Sequence, residues 1–157
     1  MDKLIFIDVE KCTGCRLCEL ACSLKHEKRF QPSKSRIHAL IWAEEGLSIP
    51  VVCNHCDDAP CMGACRYEAL WRDPATGAVL VVEDRCIGCK MCMVACPYGC
   101  MGYDKDTRKA LKCDLCGGDP ECCRVCPTKA LKFIDANKSS IEKKRAYAAT
   151  IAKNYAP

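Results

Sequence analysis

The sequence predicts a small α+β protein organised around metal-binding loops, and three observations carry that prediction. Of the 157 residues, 18 are cysteine, far above ordinary usage. The aromatic complement is two tryptophans, five tyrosines and three phenylalanines, too few for a conventional aromatic core. Short apolar segments flank the cysteine-rich stretches in pairs, the pattern of two-stranded ribbons. No apolar run reaches the roughly 18 residues of a membrane span, and no heptad or low-complexity tract is present.

Dense cysteine means disulfides or metal, and the amino-terminal segment separates the two. Leu4 to Ile7 is interrupted by Asp8 and Glu10, unlike the apolar stretch of a secretory peptide. A cytoplasmic location follows as the expectation, and reducing conditions there leave thiols free to ligate metal. The formal charge of +4 suggests nucleic-acid binding only if the thiols are neutral. If the thiols are instead metal-bound thiolates, their negative charge outweighs that excess, so the basic residues are counter-charge and no nucleic-acid partner is expected.

Sixteen of the cysteines form four quartets. The first is Cys12-x2-Cys15-x2-Cys18-x3-Cys22, and the second is Cys53-x2-Cys56-x4-Cys61-x3-Cys65. The third, Cys86-x2-Cys89-x2-Cys92-x3-Cys96-Pro97, repeats the first, and the fourth is Cys113-x2-Cys116-x5-Cys122-x3-Cys126-Pro127. Three closely spaced cysteines can wrap one [4Fe-4S] cube, while the fourth points away and in bacterial ferredoxins of this pattern ligates the other cluster of a pair. Structural zinc prefers two well-separated CxxC pairs, which this spacing does not supply. Each motif therefore needs a partner motif; spacing alone allows first with second and third with fourth as well as other pairings.

The remaining elements follow in order. Leu4 to Phe6 reads as a strand before the first motif, and Ala130 to Ile134 as one after the last. Ala69 to Trp71 and Ala78 to Val82 flank Asp73-Pro74-Ala75-Thr76-Gly77, whose proline and glycine suit a hairpin turn. Cys65-x3-Ala69-Leu70 and Cys126-x3-Ala130-Leu131 repeat one phrase, which points to an internal duplication. Short helical turns are expected after each fourth cysteine, notably over Glu19 to Glu27. Ser139-x2-Glu142 is a capping box for a helix to Asn154, with Ile141, Ala148, Ile151, Ala152 and Tyr155 on one stripe opposite Lys143, Lys144 and Lys153.

Four motifs of these spacings in this order resemble the four-cluster ferredoxin subunits of molybdenum and tungsten pterin enzymes, among them the electron-transfer subunits of the dimethyl-sulfoxide-reductase type. The resemblance covers Asp8 to Asp135. Cys18-Glu19-Leu20-Ala21-Cys22-Ser23, followed by His26-Glu27, Phe30, Pro32 and Ser35-Arg36-Ile37, is similar to the small iron-sulfur subunits of bacterial tungsten aldehyde oxidoreductases. The resemblance implies two ferredoxin-like units, each with two clusters, one inserted in the other. Residues 1–45 and 101–136 form the outer unit, 46–100 the inserted unit, and 137–157 a helical extension. It further implies one cluster on Cys12, Cys15, Cys18 and Cys126, and a second on Cys113, Cys116, Cys122 and Cys22. A third is then held by Cys53, Cys56, Cys61 and Cys96, and a fourth by Cys86, Cys89, Cys92 and Cys65. Ser23 and Arg66 depart from the pattern by replacing the proline that commonly follows a fourth cysteine.

Two thiols remain. Cys123 competes with Cys122, but only Cys122 keeps the x3 step to Cys126; Cys100 reads as an inert small apolar residue. His55 is either a hydrogen-bond donor to a cluster sulfur or a solvent-facing loop residue. His26 and His38 read as surface histidines, and Lys109 and Lys112 as counter-charge or a solvated face.

Four clusters in so short a chain make a wire. No phosphate-binding glycine loop, nicotinamide or flavin fingerprint, or nucleophile-base pair is present, and sixteen cysteines for sixteen irons leave no iron open for catalysis. The expectation is a non-catalytic electron-transfer subunit between a tungsten or molybdenum pterin catalytic subunit, by resemblance an aldehyde oxidoreductase, and a flavin or NAD-binding subunit or a ferredoxin. A free-standing polyferredoxin serving hydrogenase, formate or carbon-monoxide dehydrogenase is the alternative, and a redox or iron sensor is the rival of another class. Head-to-tail self-association, a contact that does not close on itself, would extend the wire through further copies.

Overall fold

The computed structural model describes residues 3–138, 141, 143–145, 148 and 149. In chain order the elements are β1 (Lys3–Ile7), α1 (Leu17–Glu27), β2 (Ile37–Trp42), β3 (Leu47–Val52), α2 (Pro60–Gly63), β4 (Leu70–Arg72), β5 (Val79–Val81), α3 (Met91–Ala95), β6 (Gly102–Asp104), β7 (Lys109–Leu111), α4 (Glu121–Val125) and β8 (Leu131–Asp135). The strands pair as four antiparallel two-stranded ribbons: β1 with β8, β2 with β3, β4 with β5 and β6 with β7. Among the described residues no helix is long and apolar enough to cross a membrane.

The β1–β8 ribbon ties the two ends of the cysteine-rich region together, with Leu4 opposite Ile134 and Phe6 opposite Lys132. The β4–β5 ribbon around the Asp73 to Gly77 turn sets Leu70 opposite Val81. Both were expected. The β2–β3 and β6–β7 ribbons were not, and the first of these joins Ile37 to Trp42 with Leu47 to Val52. A division at 45/46 therefore falls in the turn of one hairpin.

Helix positions correct another expectation. Each helix starts one residue before the third cysteine of its motif, and Cys96 and Cys126 are the extended residues that close α3 and α4. Pro97 and Pro127 follow, where the residue before proline is steered to extended backbone. Only α1 runs past its fourth cysteine, to Glu27. Ser23 occupies the position of those prolines, which lets the helix keep its N–H ladder. Ser23 is fully buried; its hydroxyl donates to the Leu20 carbonyl at 3.0 Å and accepts the Gln31 N–H at 3.1 Å.

Two buried clusters form the core. One gathers Ile5, Ile37, Val52, Leu115 and Leu131 around Cys18, Cys22, Cys113, Cys122 and Cys126. The other sets Leu70, Val79 and Met101 around Cys61 and Cys92. Glu19, 1% exposed, joins α1 to β2: its carboxylate accepts the Ala39 N–H at 2.7 Å and Arg16 Nε–H at 3.0 Å. Lys34, also buried, lies 3.2 Å from Asp104 and 2.7 Å from Asp106, which anchors the β6–β7 hairpin.

At the carboxyl end, residues 136–138 are helical, as are the described residues 141, 143–145, 148 and 149. Helix thus begins ahead of the proposed cap at Ser139. Ser139, Glu142, Ile151, Ala152, Lys153, Asn154 and Tyr155 lie outside the described residues; Ile141 and Ala148 are exposed.

Gly14 and Gly88 sit at the same place in the first and third motifs with φ of +68° and +72°. A side chain at Gly88 would meet the Arg108 carbonyl oxygen at 2.1 Å, because the β6–β7 turn covers this loop. Gly99, at φ +63°, faces open space. Gly88→Ala should therefore lower the midpoint for thermal loss of the protein's visible absorbance well beyond Gly99→Ala, which carries only left-handed strain of about 1–2 kcal/mol. Equal shifts would contradict the packing described.

Candidate metal centre

Motifs one and three are built alike. A short 3-10 turn (Val9–Lys11, Glu83–Arg85) leads into a left-handed glycine and then a left-handed basic residue, Arg16 or Lys90, before the helix starts. This tight loop turns successive cysteines inward. The repeated phrase at Cys65 and Cys126 is also repeated in structure. Glu68 and Lys129 both have positive φ, Ala69 and Ala130 are both 2% exposed, and their carbonyls accept the N–H of Val82 at 2.7 Å and of Asp8 at 2.8 Å.

Four cysteine-lined cavities result. Cys12, Cys15, Cys18 and Cys126 line the first. Cys22, Cys113, Cys116 and Cys122 line the second. The third has Cys53, Cys56, Cys61 and Cys96 with Cys100 beside them, and the fourth has Cys65, Cys86, Cys89 and Cys92. Each thus combines three cysteines of one motif with the last cysteine of another. The linings join the first motif to the fourth and the second to the third. Among the described residues no three cysteine sulfurs lie within 4.8 Å of one another, as four sulfurs about 2.3 Å from a single zinc ion would; the wider spacing suits a polynuclear group.

The donors need a cationic core. Burial raises the Cys18 thiol to about 12 and the Cys116 thiol to about 11. Burial likewise raises Cys22, Cys61, Cys92 and Cys113, while a hydrogen bond with Cys123 and then burial raise Cys122. Thiolates become stable there when metal compensates the charge. Cys126 goes the other way: burial pushes it up, but hydrogen bonds led by the Leu131 N–H outweigh that and lower it. Main-chain N–H groups also reach sulfur from Arg36 to Cys22 at 3.3 Å, His55 to Cys53 at 3.4 Å and Ala69 to Cys65 at 3.4 Å.

Several other residues sit differently from their sequence reading. His26 is half-buried in the wall of the Cys22 cavity, 3.9 Å from Cys116 Sγ and 3.5 Å from Asp114; His38 is exposed as expected. His55 is 2% exposed, and burial followed by the charges of Lys112 and Arg72 lowers its pKa to about 3. Lys112 is no solvated face: it is 4% exposed and donates to Cys53 Sγ at 3.0 Å. Cys123 does not line the cavity that holds Cys122. Cys100 donates to the Val52 carbonyl at 3.3 Å, and burial raises its thiol to about 11.

Residues 45–136 match the family described as "4Fe-4S dicluster domain", and residues 3–24 match "4Fe-4S binding domain". The chain belongs to the 4Fe-4S dicluster family. Among its relatives is the "Aliphatic sulfonate oxidoreductase, polyferredoxin-like subunit" of Pyrococcus furiosus, 42% identical over 85% of this chain and 78% of that protein. The "Electron transport protein HydN" of Escherichia coli is 39% identical over 92% of this chain and 97% of its own length. A chain of the "Active site complex BamBC of Benzoyl Coenzyme A reductase" shares the fold with a TM-score of 0.51 over 99% of this chain and 98% of that one, at 21% identity. Membership of the dicluster family makes [4Fe-4S] clusters the occupants that the buried thiol sets accommodate.

Because the dicluster protein's core is largely sulfur-lined space, stripping its metal with a chelator under oxidising conditions should abolish the cooperative unfolding transition followed by circular dichroism. Retention of a sharp transition in the metal-free chain would contradict this.

Proposed function

We propose that this chain, an iron-sulfur electron-transfer protein, carries four [4Fe-4S] clusters as a relay and performs no catalysis itself. The observation that carries the reading is the set of four cavities, each lined by a cysteine quartet. When bound, the clusters supply one-electron redox chemistry. The ligand sets are then Cys12, Cys15, Cys18 and Cys126; Cys113, Cys116, Cys122 and Cys22; Cys53, Cys56, Cys61 and Cys96; and Cys86, Cys89, Cys92 and Cys65. The proposed outer unit is closed by the β1–β8 ribbon, and the unit built on motifs two and three is inserted in it.

Exposure orders the relay. Cys15 and Cys89 are the exposed cysteines, one in each of the first and fourth cavities. Exposed Leu17 and Ile41 stand near the first, and Ile87 and Met91 near the other. The Cys22 and Cys53 quartets contain no exposed cysteine. The Cys12 and Cys86 quartets would thus hold the clusters at which partners exchange electrons, and the other two quartets the clusters between them. The partner we propose is a tungsten or molybdenum pterin catalytic subunit, of aldehyde oxidoreductase type by the resemblance at Cys18 to Ile37, with a flavin or NAD-binding subunit at the other end. A relative named as a subunit of an oxidoreductase and covered over 78% of its length supports a complex of this kind.

Anaerobically purified protein should contain about sixteen irons and sixteen acid-labile sulfides per chain; stoichiometric zinc with little sulfide would overturn the relay. Cys22→Ser should perturb the cluster of Cys113, Cys116 and Cys122 and spare that of Cys12, Cys15 and Cys18, as read by electron paramagnetic resonance, and Cys123→Ser should alter none. Copurification with a pterin subunit separates the complex from a free-standing polyferredoxin.

A further inference from the structure

The internal repeat sets residues 52–72 against residues 112–133, and the two halves differ where they face the cavities. Val52 and Lys112 each precede the first cysteine of a motif, His55 and Leu115 lie inside the CxxC loops, and Arg72 and Phe133 follow the Ala-Leu phrase. Val52 lines the Cys22 cavity together with Leu115, whereas Lys112 and His55 line the Cys53 cavity. Val52 and Leu115 are themselves buried, at 4% and 1% exposure. Apolar side chains therefore satisfy the fold at these positions, and packing does not require the polar ones.

The polar set is fixed in place. Lys112 Nζ lies 3.0 Å from Cys53 Sγ, 3.2 Å from His55 Nδ1 and 3.2 Å from the Cys113 carbonyl oxygen. These are three acceptors for the three protons of an ammonium group. One charge thus touches the sulfur of Cys53 in one quartet and the main chain of Cys113 in the other. His55 Nδ1 also accepts the Val79 N–H at 3.0 Å, which leaves the ring proton on Nε2. That nitrogen is buried and has no hydrogen-bond partner. A buried donor without an acceptor is rare, and a sulfide-bearing group in the same cavity supplies one. Arg72 braces the loop through the His55, Cys56 and Asp57 carbonyls, while Asp57 and Asp58 on that loop are exposed. At the neighbouring quartet, by contrast, the Arg36 guanidinium is paired with Asp114 at 2.8 Å, so its charge is cancelled locally.

We propose that Lys112, with His55, makes the cluster of Cys53, Cys56, Cys61 and Cys96 the most readily reduced of the four, a holding point for an electron in the middle of the relay. The proposal rests on the relay reading above. The cluster held there would take up one electron from a neighbouring reduced cluster, with no proton transferred. Reduction adds a negative charge, so a fixed cation and N–H donors at the sulfurs stabilise the reduced state more than the oxidised state.

The test is a redox titration of the anaerobic full-length protein followed by electron paramagnetic resonance, with iron and sulfide counted in each sample. In Lys112→Met the cluster reduced first in the wild type should shift to lower potential by at least tenfold in its one-electron equilibrium, about 59 mV, while the Cys113 cluster shifts less and the clusters of the Cys12 and Cys86 quartets stay put. Lys112→Arg, which keeps the charge, should restore it. Where Lys112→Met holds fewer than about sixteen irons, His55→Leu, copying Leu115, carries the test with a shift in the same direction. Full iron content with the first-reduced cluster unmoved, or with all four clusters moved equally, overturns the proposal. A wild type without about sixteen irons and sulfides overturns instead the relay on which it rests.

Discussion

Each of the four cysteine-lined cavities borrows its last sulfur from another motif of the chain, and that requirement organises the fold. Cys126 lines the cavity of Cys12, Cys15 and Cys18, which demands that the two ends of the cysteine-rich region meet. The β1–β8 ribbon brings them together, with Ile7 opposite Leu131. Cys22 makes the reverse crossing into the Cys113 cavity, and the packing of α1 on α4 holds it there. Few large apolar side chains are fully buried, Ile37, Leu115, Leu131 and Val79 among them. The contents of the four cavities must therefore supply much of the cohesion that a larger hydrophobic core provides elsewhere.

Burying so much sulfur sets an electrostatic problem that the chain answers unevenly. Cys18, Cys116 and Cys113 are pushed toward the neutral thiol by burial, and the iron of a cluster reverses that preference. Main-chain N–H groups reach Cys22, Cys53 and Cys65. A buried side-chain cation, Lys112, reaches Cys53. The Cys22 and Cys53 quartets are thus distinguished from each other by charge, and from the other two by containing no exposed cysteine. The relay proposed above would use both differences: the exposed ends to admit partners, and the unequal environments to set where an electron resides.

The quartets, the β1–β8 ribbon and the β4–β5 hairpin were legible because each is a local pattern: a spacing, a flanking apolar segment, a turn with proline and glycine. The β2–β3 hairpin escaped because Glu44 and Glu45 lead its turn and its exposed face carries Leu40 and Trp42, which blurs the alternation that marks a half-buried strand. Helices were placed after the fourth cysteines when Pro97 and Pro127 already mark where helix stops; Ser23 shows the contrast. His26 reads from sequence as a surface residue, and Lys112 as either counter-charge or a solvated face, because their burial comes from segments far away in sequence. Lys112 meets Cys53 across 59 positions and His26 meets Cys116 across 90.

Diffraction at the iron absorption edge from anaerobically grown crystals tests the central claim most directly. The account predicts four separate iron centres, one in each cysteine-lined cavity, with Cys126 on the centre of Cys12 and Cys22 on the centre of Cys113. Fewer than four centres, or each motif ligating a centre with all four of its own cysteines, would contradict it.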